Sequence, residues 1–129
     1  MANPLELTQG IYRAFAQGDI PSVLDVFAPT INWIEAEGGP YGGIFNGPDA
    51  VLENVFIKLG GEWDDFSAVP HEFIVEGSKV VALGVYSGSF KATGKSFTAP
   101  FAHIWKFEDG QAISFQQYTD TALHQRPLL

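Results

Sequence analysis

The sequence predicts one α+β domain, with three main helices laid against a curved antiparallel sheet in the order α-α-β-α-β-β-β-β. Three observations predict it. Before Gly60, most of the apolar side chains recur at helical spacing between capping residues and glycines. From Trp63 onward, apolar and polar residues alternate in long runs parted by Glu76-Gly77-Ser78, by Lys91 to Lys95 and by Glu108-Asp109-Gly110. No linker, repeat or low-complexity tract divides the chain, so a single core over residues 1–129 is expected.

The first helix starts at Asn3-Pro4-Leu5-Glu6, where Asn3 can cap, Pro4 suits the first turn and Glu6 completes a capping box. Leu7, Ile11, Ala14 and Phe15 form its apolar face, and Tyr12 is expected to point elsewhere. Gly18 ends this helix. Asp19 caps a shorter one that turns Val23, Leu24 and Phe27 inward. Thr30 to Ala36 alternates as a strand carrying Ile31, Trp33 and Glu35 on one face. Glu37 to Gly47 holds five glycines and a proline, and it reads as a loop that forms a lid or rim. Pro48 opens the third helix, whose stripe of Val51, Leu52, Val55, Phe56 and Leu59 runs to a stop at Gly60-Gly61.

Four strands follow, Trp63 to Glu76, Lys79 to Phe90, Phe97 to Phe107 and Gln111 to Thr121. Their hairpin connections make neighbours antiparallel, and Gly84, Gly88 and Pro100 are expected to bend the sheet into a cone. In the last hairpin, Phe97, Ala99, Phe101, His103 and Trp105 share a face. A three-residue turn would pair Phe107 with Gln111, placing His103 opposite Phe115 and Phe101 opposite Gln117. That face is apolar with two polar interruptions, as a small-molecule pocket requires. Ala102, Ile104, Tyr118, Val80, Ala82 and Tyr86 are assigned to the outward faces, where a patch of that size predicts a homodimer.

Composition narrows the function. The chain is 46% hydrophobic and 17% charged, and no apolar run approaches the ~20 residues of a membrane span. The first residues, MANPLELTQG, are neither basic nor apolar enough for a signal peptide, so a cytoplasmic protein is expected. Absence of cysteine excludes disulfides, thiolate catalysis and cysteine-ligated metals. A formal charge of −8 without a Lys/Arg cluster disfavours nucleic acid. The histidines lack metal-ligand spacing, and the glycine-rich segment has no following lysine to cradle phosphate, so no cofactor is expected. His71 and His124 read as surface residues. Asp120 reads as a strand end or the cap of a short terminal helix.

Several segments resemble the SnoaL-like branch of the nuclear transport factor 2-like superfamily, which includes ketosteroid isomerases and polyketide cyclases. They are AFAQGDIPSVLDVFAP (Ala14 to Pro29), YGGIFNGPDAV (Tyr41 to Val51), Phe101 to Trp105, and Asp109-Gly110 followed by QYTDT (Gln117 to Thr121). The resemblance covers nearly the whole chain. It implies that Glu35, eight positions after Phe27, stands where the isomerases keep their catalytic aspartate. It places His103 where their second aspartate, or the cyclases' histidine, would be. The cyclases' later acid/base aspartate corresponds to Gln117, and the isomerases' helix tyrosine to Ile11, so neither catalytic set is complete. Epoxide hydrolysis would need an arginine in the strands, and Arg13 and Arg126 lie outside them.

Two readings remain open. In one, Glu35 takes a proton next to a carbonyl, His103 polarises the enolate oxygen, and Trp33, Phe101, Trp105, Phe115 and Gln117 surround a small apolar ligand. In the other, the same pocket binds a ligand without chemistry.

Overall fold

A computed structural model describes residues 2–129. Helix α1 (Pro4–Ala16) begins with the full capping box: Glu6 N donates to the Asn3 side chain, and the Glu6 carboxylate accepts from Asn3 N. Helix α2 (Ile20–Leu24) is capped by Asp19. Strand β1 (Phe27–Glu35) takes in Phe27, so the chain is extended earlier than its helical spacing suggests. The glycine-rich segment is not loop throughout. Gly43–Asn46 forms a short strand, β2, antiparallel to Asn32–Glu35 of β1. Four residues suffice for that pairing, too few for an alternating pattern to stand out among glycines.

The third helical stretch is one rod: α3 (Pro48–Val51), a π-helical turn (Leu52–Phe56) and α4 (Ile57–Glu62). Gly60 and Gly61 lie inside it and do not stop it. The stop is Trp63, whose extended backbone and buried indole commit the chain to β3. The long strands are β3 (Trp63–Glu76), β4 (Lys79–Phe90), β5 (Ser96–Glu108) and β6 (Gln111–Thr119). Asp120 then caps α5 (Thr121–Gln125), the cap role weighed for it from sequence. Among the described residues, no helix is long and apolar enough to cross a membrane.

The six strands form a single sheet in the order β2-β1-β6-β5-β4-β3. It is mixed rather than wholly antiparallel, because β1 lies parallel to β6. Hairpins fix the directions of β3 to β6. The link between β1 and the rest passes through helices, so no turn forces an antiparallel match there. The curl comes from bulges on β3 between Asp64 and Ser67 and between Pro70 and Glu72, facing Gly88 and Gly84.

Two register details depart from the simple alternation. The β5–β6 turn has two residues, Asp109 and Gly110, both with positive φ (52° and 77°), as a type I′ hairpin demands. A bulge at Ile113 then shifts the pairing again, so His103 faces Gln117, Trp105 faces Phe115 and Phe101 faces Thr119. On β4 the run Val80-Val81-Ala82-Leu83 is apolar at both parities, and alternation alone leaves its inner face open. Pairing of Val80 with Trp105 and Ala82 with His103 settles it. Val80, Ala82 and Tyr86 are buried inside the cone, not outward as expected, while Val81, Leu83 and Val85 take the outer face.

Gly84 shows how tightly β3 wraps this sheet. A Cβ there would lie 2.3 Å from the Val69 carbonyl oxygen and 2.5 Å from the Phe101 ring. Gly84→Ala must therefore push the bulged strand away, and we expect a loss of about 2–3 kcal/mol, seen as a fall of roughly 10 °C in thermal unfolding followed by circular dichroism. An unchanged midpoint would show that the bulge is not held by close packing.

Candidate functional site

Two rows of side chains cross the inner face of the sheet. Trp33, Phe115, Trp105 and Val80 stand side by side on β1, β6, β5 and β4. The first three form an aromatic floor, with Trp33 stacked on Phe115 at 3.7 Å and Trp105 edge-on to both. One pleat further along come Gln117, His103 and Ala82, with Glu35 at the end of β1 beside them. The backbone N–H of Ala36 donates to Gln117 Oε1 at 3.0 Å, tying the two strand ends together.

Above these rows lies a cavity bounded by α1, the helical rod, the rim loop and α5. Its volume, taken as the space open to the centre of a water molecule, is about 70 Å³, enough for several waters or a small organic group. Glu35, His103, Trp33, Trp105, Phe115 and Gln117 all line it, so six of the seven residues singled out from sequence meet there. Phe101 does not reach it. Its ring is stacked behind His103 at 4.0 Å, because β5 turns it toward Tyr86 and the Gly84 notch instead of the open space.

Glu35 is 6% exposed, and burial raises its carboxyl from 4.5 to about 7. The Trp33 indole pulls the other way, although Trp33 Nε1 and Glu35 Oε2 both lack a hydrogen-bond partner of ordinary geometry. His103 is fully neutral: burial lowers it to about 3. Both of its ring nitrogens are occupied, Nδ1 by Tyr12 Oη and Nε2 by Tyr86 Oη, each at 2.5 Å. Trp105 Nε1 donates to Tyr12 Oη at 3.1 Å, and Gln117 Nε2 to Tyr86 Oη at 2.8 Å. Burial holds both phenols well above their usual range, so they are protonated donors.

Sequence reasoning missed both tyrosines. Tyr12 turns inward because α1 buries a wider arc than its aliphatic residues mark. Thr8, Tyr12 and Phe15 recur at i, i+4 and i+7, and that spacing was the available signal. Tyr86 was hidden by the undecided parity of β4. His124 was also misplaced: α5 folds over the cone mouth and buries it, with Nε2 bonded to Thr119 Oγ1 at 3.0 Å. Burial lowers it to about 4 against the opposing charge of Asp120, while His71 is exposed as expected.

The rim loop closes one side through Gly39, Pro40, Tyr41 and Gly42. Tyr41 donates to Glu62 Oε1 at 2.5 Å and accepts from Trp63 Nε1 at 2.8 Å. Gln125 Nε2 donates to the Gly38 carbonyl at 3.0 Å, so α5 holds the other end of the loop.

The raised carboxyl of Glu35 has a stability consequence. In the unfolded chain Glu35 ionises near 4.5, whereas in the fold it keeps its proton to about 7. Between those values the unfolded state sheds a proton that the folded state retains, so this residue destabilises the fold increasingly as pH rises, and fully above pH 7. Glu35→Gln should therefore match wild type below the ordinary carboxylate range and exceed it by about 3 kcal/mol at high pH, once the folded carboxyl has also ionised, in urea unfolding. A pH-independent difference would show that the carboxyl is not held protonated.

The comparisons with known proteins now bear on this geometry. Residues 8–115 match the model of the SnoaL-like domain. A crystal structure of an NTF2-like protein from Burkholderia thailandensis E264 is 33% identical, with a TM-score of 0.97 over 100% of this chain and 99% of that one. An NTF2-like protein of unknown function from Burkholderia pseudomallei K96243 is 32% identical (TM-score 0.89, covering 98% and 97%). TerC, crystallized with polyporic acid, is 25% identical (TM-score 0.88, covering 98% of each chain). No curated protein matches the chain. With most of its length inside the family model and a full-length relative at 33% identity, the chain belongs to the SnoaL-like domain family of NTF2-like folds.

Proposed function

We propose that the cavity binds a small, mainly apolar carbonyl compound and that Glu35 moves a proton at the carbon next to that carbonyl. The observation that carries this is the buried Glu35 carboxyl, whose Oε2 has no partner and which lines the same cavity as a closed tyrosine–histidine hydrogen-bond network. An ionised Glu35 takes the α-proton, the electron pair moves to the carbonyl oxygen, and that oxygen accepts a hydrogen bond from a phenol hydroxyl. The carboxylic acid then returns the proton to carbon. His103 has no nitrogen free for a ligand, so it acts by orienting Tyr12 and Tyr86. The apolar floor of Trp33, Phe115 and Trp105 favours a flat ligand, and the co-crystal of TerC with polyporic acid supports a small organic occupant.

The test is deuterium exchange of acidic α-protons on a panel of cyclic ketones, followed by NMR. Exchange should rise with pH and level off above about pH 7, following ionisation of Glu35. Glu35→Gln should bind the ketones and abolish exchange; His103→Ala should weaken both, because it removes the support of two hydroxyls and opens a void. The second reading, a binding protein without chemistry, draws on Gln117, an amide where the cyclases keep an acid/base aspartate. Wild type that binds the ketones without exchanging their protons would establish it.

We further propose a homodimer through the outer face of the sheet. Val81, Leu83, Val85, Ala102, Ile104 and Tyr118 lie there, with Ile74 half exposed beside them. Glu76, Lys79 and Lys106 sit together at one end of this face, so a two-fold related copy could pair opposite charges across it. Light scattering at tens of micromolar should give twice the monomer mass, and Ile104→Glu should halve it. A monomeric wild type would refute the assembly.

A further inference from the structure

The Tyr12–His103–Tyr86 chain holds one hydroxyl proton more than it can use internally. Trp105 Nε1 can only donate, so Tyr12 Oη accepts from it. The Gln117 amide is oriented by the backbone: the Ala36 N–H requires an acceptor, which must be Oε1, leaving Nε2 to donate to Tyr86 Oη. Each phenol oxygen therefore has one lone pair committed. Neutral imidazole has one N–H and one lone pair, so one tyrosine donates to His103 and the other accepts from it. The tyrosine that accepts has both lone pairs filled and a hydroxyl hydrogen without a partner in the network.

The surroundings decide which tyrosine this is. Tyr12 is walled by the rings of Phe73, Phe101 and Trp105, with centroids 6.2–6.3 Å away, and Trp105 offers only a donor. Both phenols line the cavity and both are ringed by aromatic side chains, so the polar neighbour separates them: Tyr12 has the Trp105 indole, whereas Tyr86 has Gln117. Gln117 follows Gln116, the strand partner of Ile34, so its bond to Tyr86 places Tyr86 at the end of the cavity that holds Glu35. We propose that Tyr86 is the residue that hydrogen-bonds the ligand's oxygen, held as a donor by the Nε2–H tautomer of His103, with Tyr12 donating to Nδ1. A hydroxyl accepting two hydrogen bonds is polarised into a stronger donor. The preferred ligand is uncharged and carries an acceptor-only oxygen such as a ketone, because among the described residues no lysine or arginine lines the cavity to balance an anion beside Glu35. This rests on the reading of the cavity as a site for an oxygen-bearing ligand.

The tautomer can be read without activity. Long-range proton–nitrogen NMR correlation on the full chain labelled with ¹⁵N-histidine, assigned with His71→Gln and His124→Gln, should show His103 protonated at Nε2 and bare at Nδ1. Protonation at Nδ1 overturns the proposal. The donor is tested with 2-tetralone against tetralin, the same skeleton without the oxygen. Wild type should prefer tetralone, Tyr86→Phe should lose about tenfold of that preference, and Tyr12→Phe should keep most of it. No preference in wild type, or loss in Tyr12→Phe alone, overturns it. Tetralone held by Tyr86 without deuterium exchange would remove the catalytic reading and leave this one standing. Exchange at the wild-type rate in Tyr86→Phe would do the reverse.

Discussion

His103 sits with both ring nitrogens inside a closed set of hydrogen bonds, and the interior is arranged around keeping that set closed. A buried nitrogen left unpaired costs roughly 1–3 kcal/mol, so each nitrogen needs a partner delivered from another element. Tyr12 comes from α1 and Tyr86 from β4, and each phenol in turn needs Trp105 or Gln117. The network thus fastens α1, β4, β5 and β6 to one another at a single depth in the cone. It does so with neutral groups, which avoids the larger cost of burying charge.

Next to the paired nitrogens of His103 lies a second buried polar pair. Trp33 Nε1, on the aromatic floor, and Glu35 Oε2, one pleat further along, are buried without a hydrogen-bond partner of ordinary geometry. A protein selected for stability alone would fill that corner with apolar side chains or bridge it with a bond. Buried polar groups with hydrogen-bonding capacity left over at a cavity wall are a common feature of binding sites.

The four long strands, the capping box and the inward face of β5 were legible because each has a strong local signature. The β5–β6 register shows how a correct face can rest on an incorrect pairing. A two-residue turn and the bulge at Ile113 each move β6 by one residue, and two such steps restore the parity that places Gln117 inside. Where local pattern was silent, the reading failed. The apolar run on β4 fits either face, so Tyr86 was lost, and only long-range pairing with β5 decides it. His124 was misjudged for a related reason, since burial by α5 closing over the mouth is tertiary information, whereas Tyr12 was passed over although its spacing from Thr8 and Phe15 marked it. His103 stood out as a polar interruption of the apolar face of β5 and again through family resemblance, Glu35 through the resemblance, and the geometry adds the tyrosines that bond both His103 nitrogens.

The rim loop carries a consequence for timing. Tyr41 holds it to the end of the helical rod through one carboxylate and one indole, while Gln125 holds it to α5. If the proposed ligand left past Gly39 to Gly42, those fastenings would have to release first. On the proposed reading, residence would be set by three hydrogen bonds that touch neither Glu35 nor the His103 network, so dwell time and chemistry would be adjustable by separate substitutions.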